Sequence, residues 1–408
     1  MIIKGKDTIK EKKAIQKRYQ NAFRIPHEEN RLLYHYAGIE TIWKILDGDA
    51  FLARNIRFSN DSEEYRLGEK VVSEYATEFL NEKQLQKFKE SILQGIQMFY
   101  MICFCKDGDL LSQWRGYAKD GVCLGMDFLE EDGTQEECVQ VFTIRNNKVN
   151  QSCDEEKKYT CFVEMPYQVF YVLKNESINA TDKSEQMNKL KEALDSFDDV
   201  DNRVKMMLNL IPFIKDKGFD EEAEYRIIFD INDLGETEAQ NRKERRKKIE
   251  YIEKDNRRLP NIIVEMGDRA TKSNQVTHVI LGVDIRDKAR NMNRSDADIE
   301  QIYQSIKNEL KGITCENVES KRDIYIGEGN NQEDVMSIIE DCLQQNGLPI
   351  DCETGVKIWC RGHLPIREAI IAPGEKKDKI RESLKHYLRN TYWLRYVVVK
   401  DSEIPLQS

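Results

Sequence analysis

MFYMICFC (residues 98–105) and EEAEYRIIFDI (residues 221–231) are the two stretches that decide the fold. The first is an unbroken apolar and aromatic run of strand length, the pattern of a strand buried on both faces. The second returns to strand character but carries Glu222, Glu224 and Arg226 at alternate positions. On a strand these three side chains project together. Burying two carboxylates and a guanidinium on one apolar strand is costly unless they pair or serve chemistry. A structural Glu–Arg ladder and a functional carboxylate pair both fit the pattern.

Further strands and helices follow from these two outward. Leu33–Tyr36, Phe51–Arg54, 122–128, 161–171 and 277–285 read as strands, and LRYVVVKDSEIPL as the last one. Ile39, Ile42, Trp43, Ile45 and Leu46 recur at helical spacing, and Gly48 suits the helix end. Residues 62–95, 182–216, 296–311 and 331–346 carry helical patterns, and 364–390 reads strand–turn–helix. Strands gather between long helices rather than alternating as βαβ units. The spacing therefore predicts an α+β fold with a mixed, mainly antiparallel sheet flanked by helices.

Composition sets the remaining bounds. A chain of 408 residues suits two or three domains, or one with a large insertion. The expected division is a basic helix or arm over 1–30, a core over 31–232, a charged insertion or second lobe over 233–355, and a closing strand–turn–helix–strand over 356–408. No stretch approaches the ~20 apolar residues of a membrane helix. The N-terminal MIIKGKDTIKEKK lacks a signal core, so a cytoplasmic, reduced protein is expected. The ten cysteines include no C-x-x-C pair, and the five histidines form no metal-binding spacing, so no metal is predicted. Net charge is −10, so a polyanion would have to meet a local basic patch. Residues 4–18 and 242–258 are the two basic segments, each read as a solvated helix or as a contact for RNA or DNA.

Several other patches hold polar groups that local structure does not demand. Tyr34-His35-Tyr36 places a histidine inside a strand, as a core histidine or a ligand contact. Arg54 and the loop Asn60-Asp61 with Glu63 read as a binding loop or as helix capping. Trp114 and Tyr117, three apart, share a helix face as core or as a stacking platform. Gly374, Lys376 and Lys377 form a turn before a helix, a plain connection or a phosphate cradle.

The order of these patches resembles a widespread bacterial domain-of-unknown-function family. The residues that carry the likeness are LYHYAG, FSNDSEE, CFCKDGDLLSQWRGYAKDGVCLGMDF, EMPYQVFY, EAEYRIIF, REAIIAPG and VVVKDSEIPL. They cover most of 31–232 and 364–406; Ala37, Cys105 and Phe219 depart from the family's usual Thr or Ser, Ser and Trp. That family in turn looks distantly like ADP-ribosyltransferases, through His35, the Trp43–Gly48 helix, Phe51-Leu52 and the late Glu222/Glu224 pair. The resemblance implies an NAD-consuming transferase or NAD glycohydrolase, with NAD as substrate, of the kind found as bacterial toxins or phage-defence effectors. It implies Glu224 facing the developing ribosyl cation, Glu222 orienting a protein, nucleic-acid or water acceptor, His35 bonding the adenosine-side ribose, and Tyr36 among the substrate-binding residues. Trp114 or Tyr117 would stack on nicotinamide, and Arg54 or Arg226 would meet the pyrophosphate. Two other readings of the same residues stay open. One is a non-catalytic nucleotide or nucleic-acid binding module. The other is a metal-dependent nuclease built on Asp61, Glu63, Glu222 and Glu224.

Overall fold

A computed structural model of the chain describes residues 32–58, 64–95, 98–128, 140–145, 160–164, 166–195, 200–232, 238–254, 256–266, 276–281, 295–309, 323–325, 332–347, 356–360, 365–390 and 397–404. The chain is α+β, with a mainly antiparallel open sheet flanked by helices. Its first elements are β1 (Leu33–Ala37), α1 (Ile39–Gly48), β2 (Ala50–Asn55), α2 (Glu64–Ala76), α3 (Glu82–Gly95) and β3 (Phe99–Cys105). Then come β4 (Val122–Met126), β5 (Gln140–Ile144), β6 (Thr160–Glu164), β7 (Tyr167–Gln168) and β8 (Phe170–Val172). Helices α4 (Glu185–Asp195) and α5 (Val200–Leu210) precede β9 (Ile214–Asp216) and β10 (Glu224–Asp230). Next are α6 (Glu238–Lys248), β11 (Ile249–Lys254), β12 (Arg257–Met266), β13 (Val276–Leu281), α7 (Asp296–Glu309) and β14 (Asp323–Tyr325). The last are α8 (Gln332–Gln345), β15 (Val356–Cys360), β16 (Ile366–Ile371), α9 (Lys377–Asn390) and β17 (Val398–Asp401). Among the described residues no helix is long and apolar enough to cross a membrane.

The chain divides into two compact units. The first comprises Met1–Leu33, Lys44–Asp107 and Phe128–Met266. Within it β3 is central, antiparallel to β10 on one side and to β2 on the other. The ladder continues through β12 to β5 and β6, with β11 folded back on β12 and β7 added to β10. The MFYMICFC run is buried on both faces because both are covered. On one face Phe104 packs edge-on against Phe51 and Phe128, with ring centres 5.8 and 5.0 Å apart. Phe99 and Met101 pack on the other with Val72, Tyr75, Met207 and Ile214, residues of the helical layer and β9.

Local chemistry explains where the elements depart from the sequence reading. Within the stretch read as helical, residues 64–95 form two helices parted before Glu82, where the side chains of Asn81 and Gln84 cap each other's backbone N–H groups at 3.0 Å. Pro212 sits in a short 3-10 turn after α5, which ends the helical run expected to reach residue 216. Beyond residue 232 the sheet continues, because β12 pairs with β2 from Asn261 to Glu265. Residues 249–254 and 256–266 thus belong to the first unit's sheet.

The second unit comprises Tyr34–Trp43, Gly108–Asp127 and Gly267–Ser408. Its strands run β17–β16–β4–β1, with β16 and β17 parallel around α9. A separate antiparallel sheet runs β14–β13–β15. The Tyr34 hydroxyl donates to Glu368 Oε2 at 2.9 Å, and Lys400 completes that ion pair. Gly125 makes room for the tyrosine, since a Cβ there would lie 2.9 Å from Tyr34 Cε1.

Gly121 is more constrained still. A Cβ on it would stand 2.0 Å from the Ala37 carbonyl oxygen and 2.7 Å from that of Ala118, both rigid backbone. Gly121→Ala is therefore expected to destabilise the protein by about 1–3 kcal/mol through forced backbone shifts. Thermal unfolding checks this, and an unchanged midpoint would show that the two carbonyls can give way.

Candidate functional site

The polar residues on β10 are held by three short segments around them. Lys217–Glu222 forms a 3-10 turn, and Ala223 then takes a left-handed conformation, φ 40° and ψ 52°. The strand consequently starts at Glu224, and Glu222 belongs to the turn rather than to the strand. Alternation does not bring Glu222 beside Glu224; Lys215 does. Its Nζ donates to Glu222 Oε2 at 2.7 Å and to Glu224 Oε2 at 2.8 Å. Lys215 comes from β9, which pairs in parallel with β8.

Arg226 closes the cluster from the strand itself. Its Nε donates to Glu224 Oε1 and its Nη2 to Glu224 Oε2, both at 2.8 Å, in the forked geometry that suits a carboxylate. Its Nη1 donates to the Pro212 carbonyl. The Glu224 backbone N–H donates to the Tyr171 hydroxyl at 2.7 Å. Arg226 is only 1% exposed and Glu224 only 4%. Three of the roughly four acceptor positions on the Glu224 carboxylate are thus filled by Arg226 and Lys215. The Glu222 side chain keeps more solvent access and lies at the cluster's rim, 13% exposed against 5% for Glu224. Lys215 also lies 5.2 Å from the centre of the Phe219 ring.

Burial alone would raise the Glu224 carboxyl, but the charge and hydrogen bonds of Arg226, then of Lys215, outweigh it. They hold the group down to about 2. A carboxyl depressed in the folded state stabilises the protein above its unfolded value of ~4.3 and loses that contribution as pH falls toward the folded value. A loss of about 3 kcal/mol between roughly pH 4.5 and 2 is expected. Glu224→Gln should flatten that acid limb in urea titrations at stepped pH. An unchanged limb would show that Glu224 is not the group responsible.

Neighbouring groups are driven toward their neutral forms. Burial, then the negative charges of Glu224 and Glu222, push the Cys105 thiol up, so it is poorly suited to a nucleophilic role. Cys105 lies directly opposite Glu224 in the ladder. Burial likewise pushes the Tyr171 phenol up. In the same ladder Cys103 faces Arg226, Met101 faces Ile228, and Arg54 faces both Met101 and Asn261. These side chains share one face of the sheet, so the structure brings Arg54, Glu224 and Arg226 to that face. Strand geometry separates Arg54 from Glu224 by roughly 15 Å. Arg54 is half-buried.

The other expected residues lie in the second unit, or outside the described residues. Tyr34 and Tyr36 point to one side of β1, while His35 is half-buried on the other. The Tyr36 hydroxyl accepts from the Leu110 N–H at 2.9 Å, and its ring meets Trp114 edge-on at 4.8 Å. Trp114 is buried at 3% exposure and donates its indole N–H to Asp109 at 2.7 Å, whereas Tyr117 is 44% exposed. The expected shared face is lost because residues Trp114–Ala118 form a π-helical turn, which rotates the two apart. Asp109 also accepts from Ser402 and from the Glu403 N–H. Lys377 opens α9, and exposed Lys376 pairs with Asp120 at 3.5 Å, beside Gly374. Asn60, Asp61, Glu63 and the basic segment 4–18 lie outside the described residues. Among the described residues no three His, Cys, Asp or Glu side chains gather as a metal site would need.

Sequence reading missed Lys215, Tyr171, Asp109 and Glu368. Lys215 had one signal, a lone cation directly after the apolar Ile211-Pro212-Phe213-Ile214. Glu368 had a similar one, a carboxylate beside the apolar Ala-Ile-Ile-Ala run. No curated protein and no solved structure matches the chain. Residues 113–227, from the Trp114 turn through Arg226, match a family described as a protein of unknown function, DUF2971.

Proposed function

We propose that the chain is an ADP-ribosyltransferase-like enzyme that consumes NAD, with Glu222 and Glu224 as its carboxylates. The observation that carries this is the pair of carboxyl groups where the 3-10 turn meets β10, bridged by a single lysine, with Glu224 fixed by Arg226. In the reaction the bond between the ribose carbon and the nicotinamide nitrogen breaks, and nicotinamide leaves with the bonding electrons. The ribosyl carbon gains positive charge, as in glycoside cleavage, and a fixed carboxylate stabilises it. An acceptor lone pair on protein, nucleic acid or water then forms the new bond and its proton is released. Glu222, at the rim, is the carboxylate best placed to meet substrate. Glu224 anchors the lysine that holds it, and Arg54, on the sheet face of Glu224, offers a forked guanidinium to the pyrophosphate. A role as a toxin or phage-defence effector belongs to the same proposal.

One observation favours a second reading, a nucleotide-binding module without turnover. The Glu224 charge is already neutralised by two cations, so less of it is available to a developing cation. Nicotinamide release from NAD by the full chain, alone and with cell extract, separates the two. Release above the uncatalysed rate supports the enzyme. NAD binding without release supports the module, and neither binding nor release sinks both.

A further inference from the structure

A cationic exposed surface of the first unit lies on α6 and the β11–β12 ribbon that follows it. Arg242, Lys243, Arg246, Arg257 and Arg258 are exposed there, against Glu253 as the one fully exposed acid among the described residues of 242–258. Lys248, at the end of α6, is buried and donates to the Ile144 carbonyl at 3.0 Å, which fixes the helix to the sheet. Before Asn261 the ribbon lies outside the β2–β12 ladder. Arg257–Pro260 pair with β11 alone among the described residues, so this end projects past β2. On the ribbon Tyr251 is 54% exposed and faces Pro260, and the Arg258 guanidinium lies over its ring at 5.1 Å. Ile252, on the opposite face, is exposed as well.

Protection of an edge strand would account for the charges on β11. It does not account for an exposed tyrosine and isoleucine on the same short strand, nor for arginines stationed at its tip. Arginine with an aromatic ring is the combination that stacks on bases, and a line of cations is what tracks a phosphate backbone. The local positive charge also runs against the chain's net charge of −10.

The geometry points to a binding surface for single-stranded nucleic acid on α6 and the β11–β12 ribbon, with Tyr251 and Arg258 stacking on a base and the flanking cations on phosphates. The surface is separate from the Glu222/Glu224 cluster and does not rest on NAD chemistry.

Fluorescence anisotropy with labelled 15-nucleotide oligo(dT) and oligo(U) on the full chain tests it. Both strands should bind at 50 mM salt and weaken steeply by 200 mM, with a log–log slope of about −0.7 for each phosphate contacted. Tyr251→Ala should lose affinity by about tenfold with the slope unchanged, and Tyr251→Phe should keep it. Arg257→Ser with Arg258→Ser should make the slope shallower by about 1 to 1.5. All of these residues are exposed, so circular dichroism should stay as in the wild type. The surface is refuted by no binding at 50 mM salt, or by Tyr251→Ala binding like the wild type. Equal affinity for duplex DNA or heparin would also overturn it, because stacking would then contribute nothing.

Discussion

Arg226→Met is expected to destabilise the first unit by about 3–5 kcal/mol, the usual consequence of leaving a buried charge without its partner. Glu224 would keep the single bond from Lys215 but lose both forked bonds from the guanidinium. The Pro212 carbonyl would lose its donor as well. Methionine fills much of the same volume, so the loss reports charge rather than a cavity. The companion variant carries Glu224→Gln with Arg226→Met. Replacing both members of a buried pair is far less damaging than removing one, so the double variant should recover most of the loss. Urea midpoints of the four proteins supply the coupling energy. A single-variant loss below about 1 kcal/mol would mean that water reaches the Glu224 carboxylate and screens its charge.

The second large effect concerns the NAD turnover proposed above. Glu222→Gln is expected to slow nicotinamide release by about 100- to 1000-fold, the range seen when one fixed electrostatic group is removed from a transition state. The substitution keeps the shape and leaves Lys215 bonded to Glu224. Stability should fall by only about 1 kcal/mol, because the amide oxygen still accepts from Lys215 while the charge pairing is lost. The apparent KM for NAD should change little, because the lost charge acts on the cationic transition state more than on bound substrate. Release at the wild-type rate would remove Glu222 from the reaction. The pairing with Arg226→Met separates the two roles: one variant moves stability, the other moves rate.

How far the sequence went can be judged residue by residue. MFYMICFC was legible because burial on both faces leaves an apolar run with no polar alternation, and β3 is central in its unit. Glu224 and Arg226 were legible as a conflict between charge and surroundings, and the structure resolves it by pairing them. The start of that strand was not legible, since nothing local announces that Ala223 takes positive φ. Lys215 was hidden because its strand has three residues and is set by a partner 44 positions away, Phe170 for Ile214. Trp114 and Tyr117 parted because a π-helical turn does not keep the 3.6-residue period on which the reading relied. The basic stretch after residue 241 read as one charged helix, and half of it is ribbon. Ile249 and Tyr251 alternate with Glu250, a signal too short to outweigh so many helix-forming charges.

The pairing of Tyr34 with Glu368 sets a schedule for the chain's synthesis. The two residues are 334 positions apart. At ~5–20 residues per second, a ribosome needs roughly 20–70 s between making the first and making the second. Throughout that interval β1 has been synthesised and β16 has not, and the second unit cannot close around the tyrosine. The first unit's segments are complete by Met266, some hundred residues earlier. It can therefore collapse while β4, already beside β1, still presents an open hydrogen-bonding edge that β16 has yet to fill. Nascent chains of this protein consequently need shelter at the open edge of β4, and translation that stalls after residue 266 yields a folded first unit attached to an unfinished second.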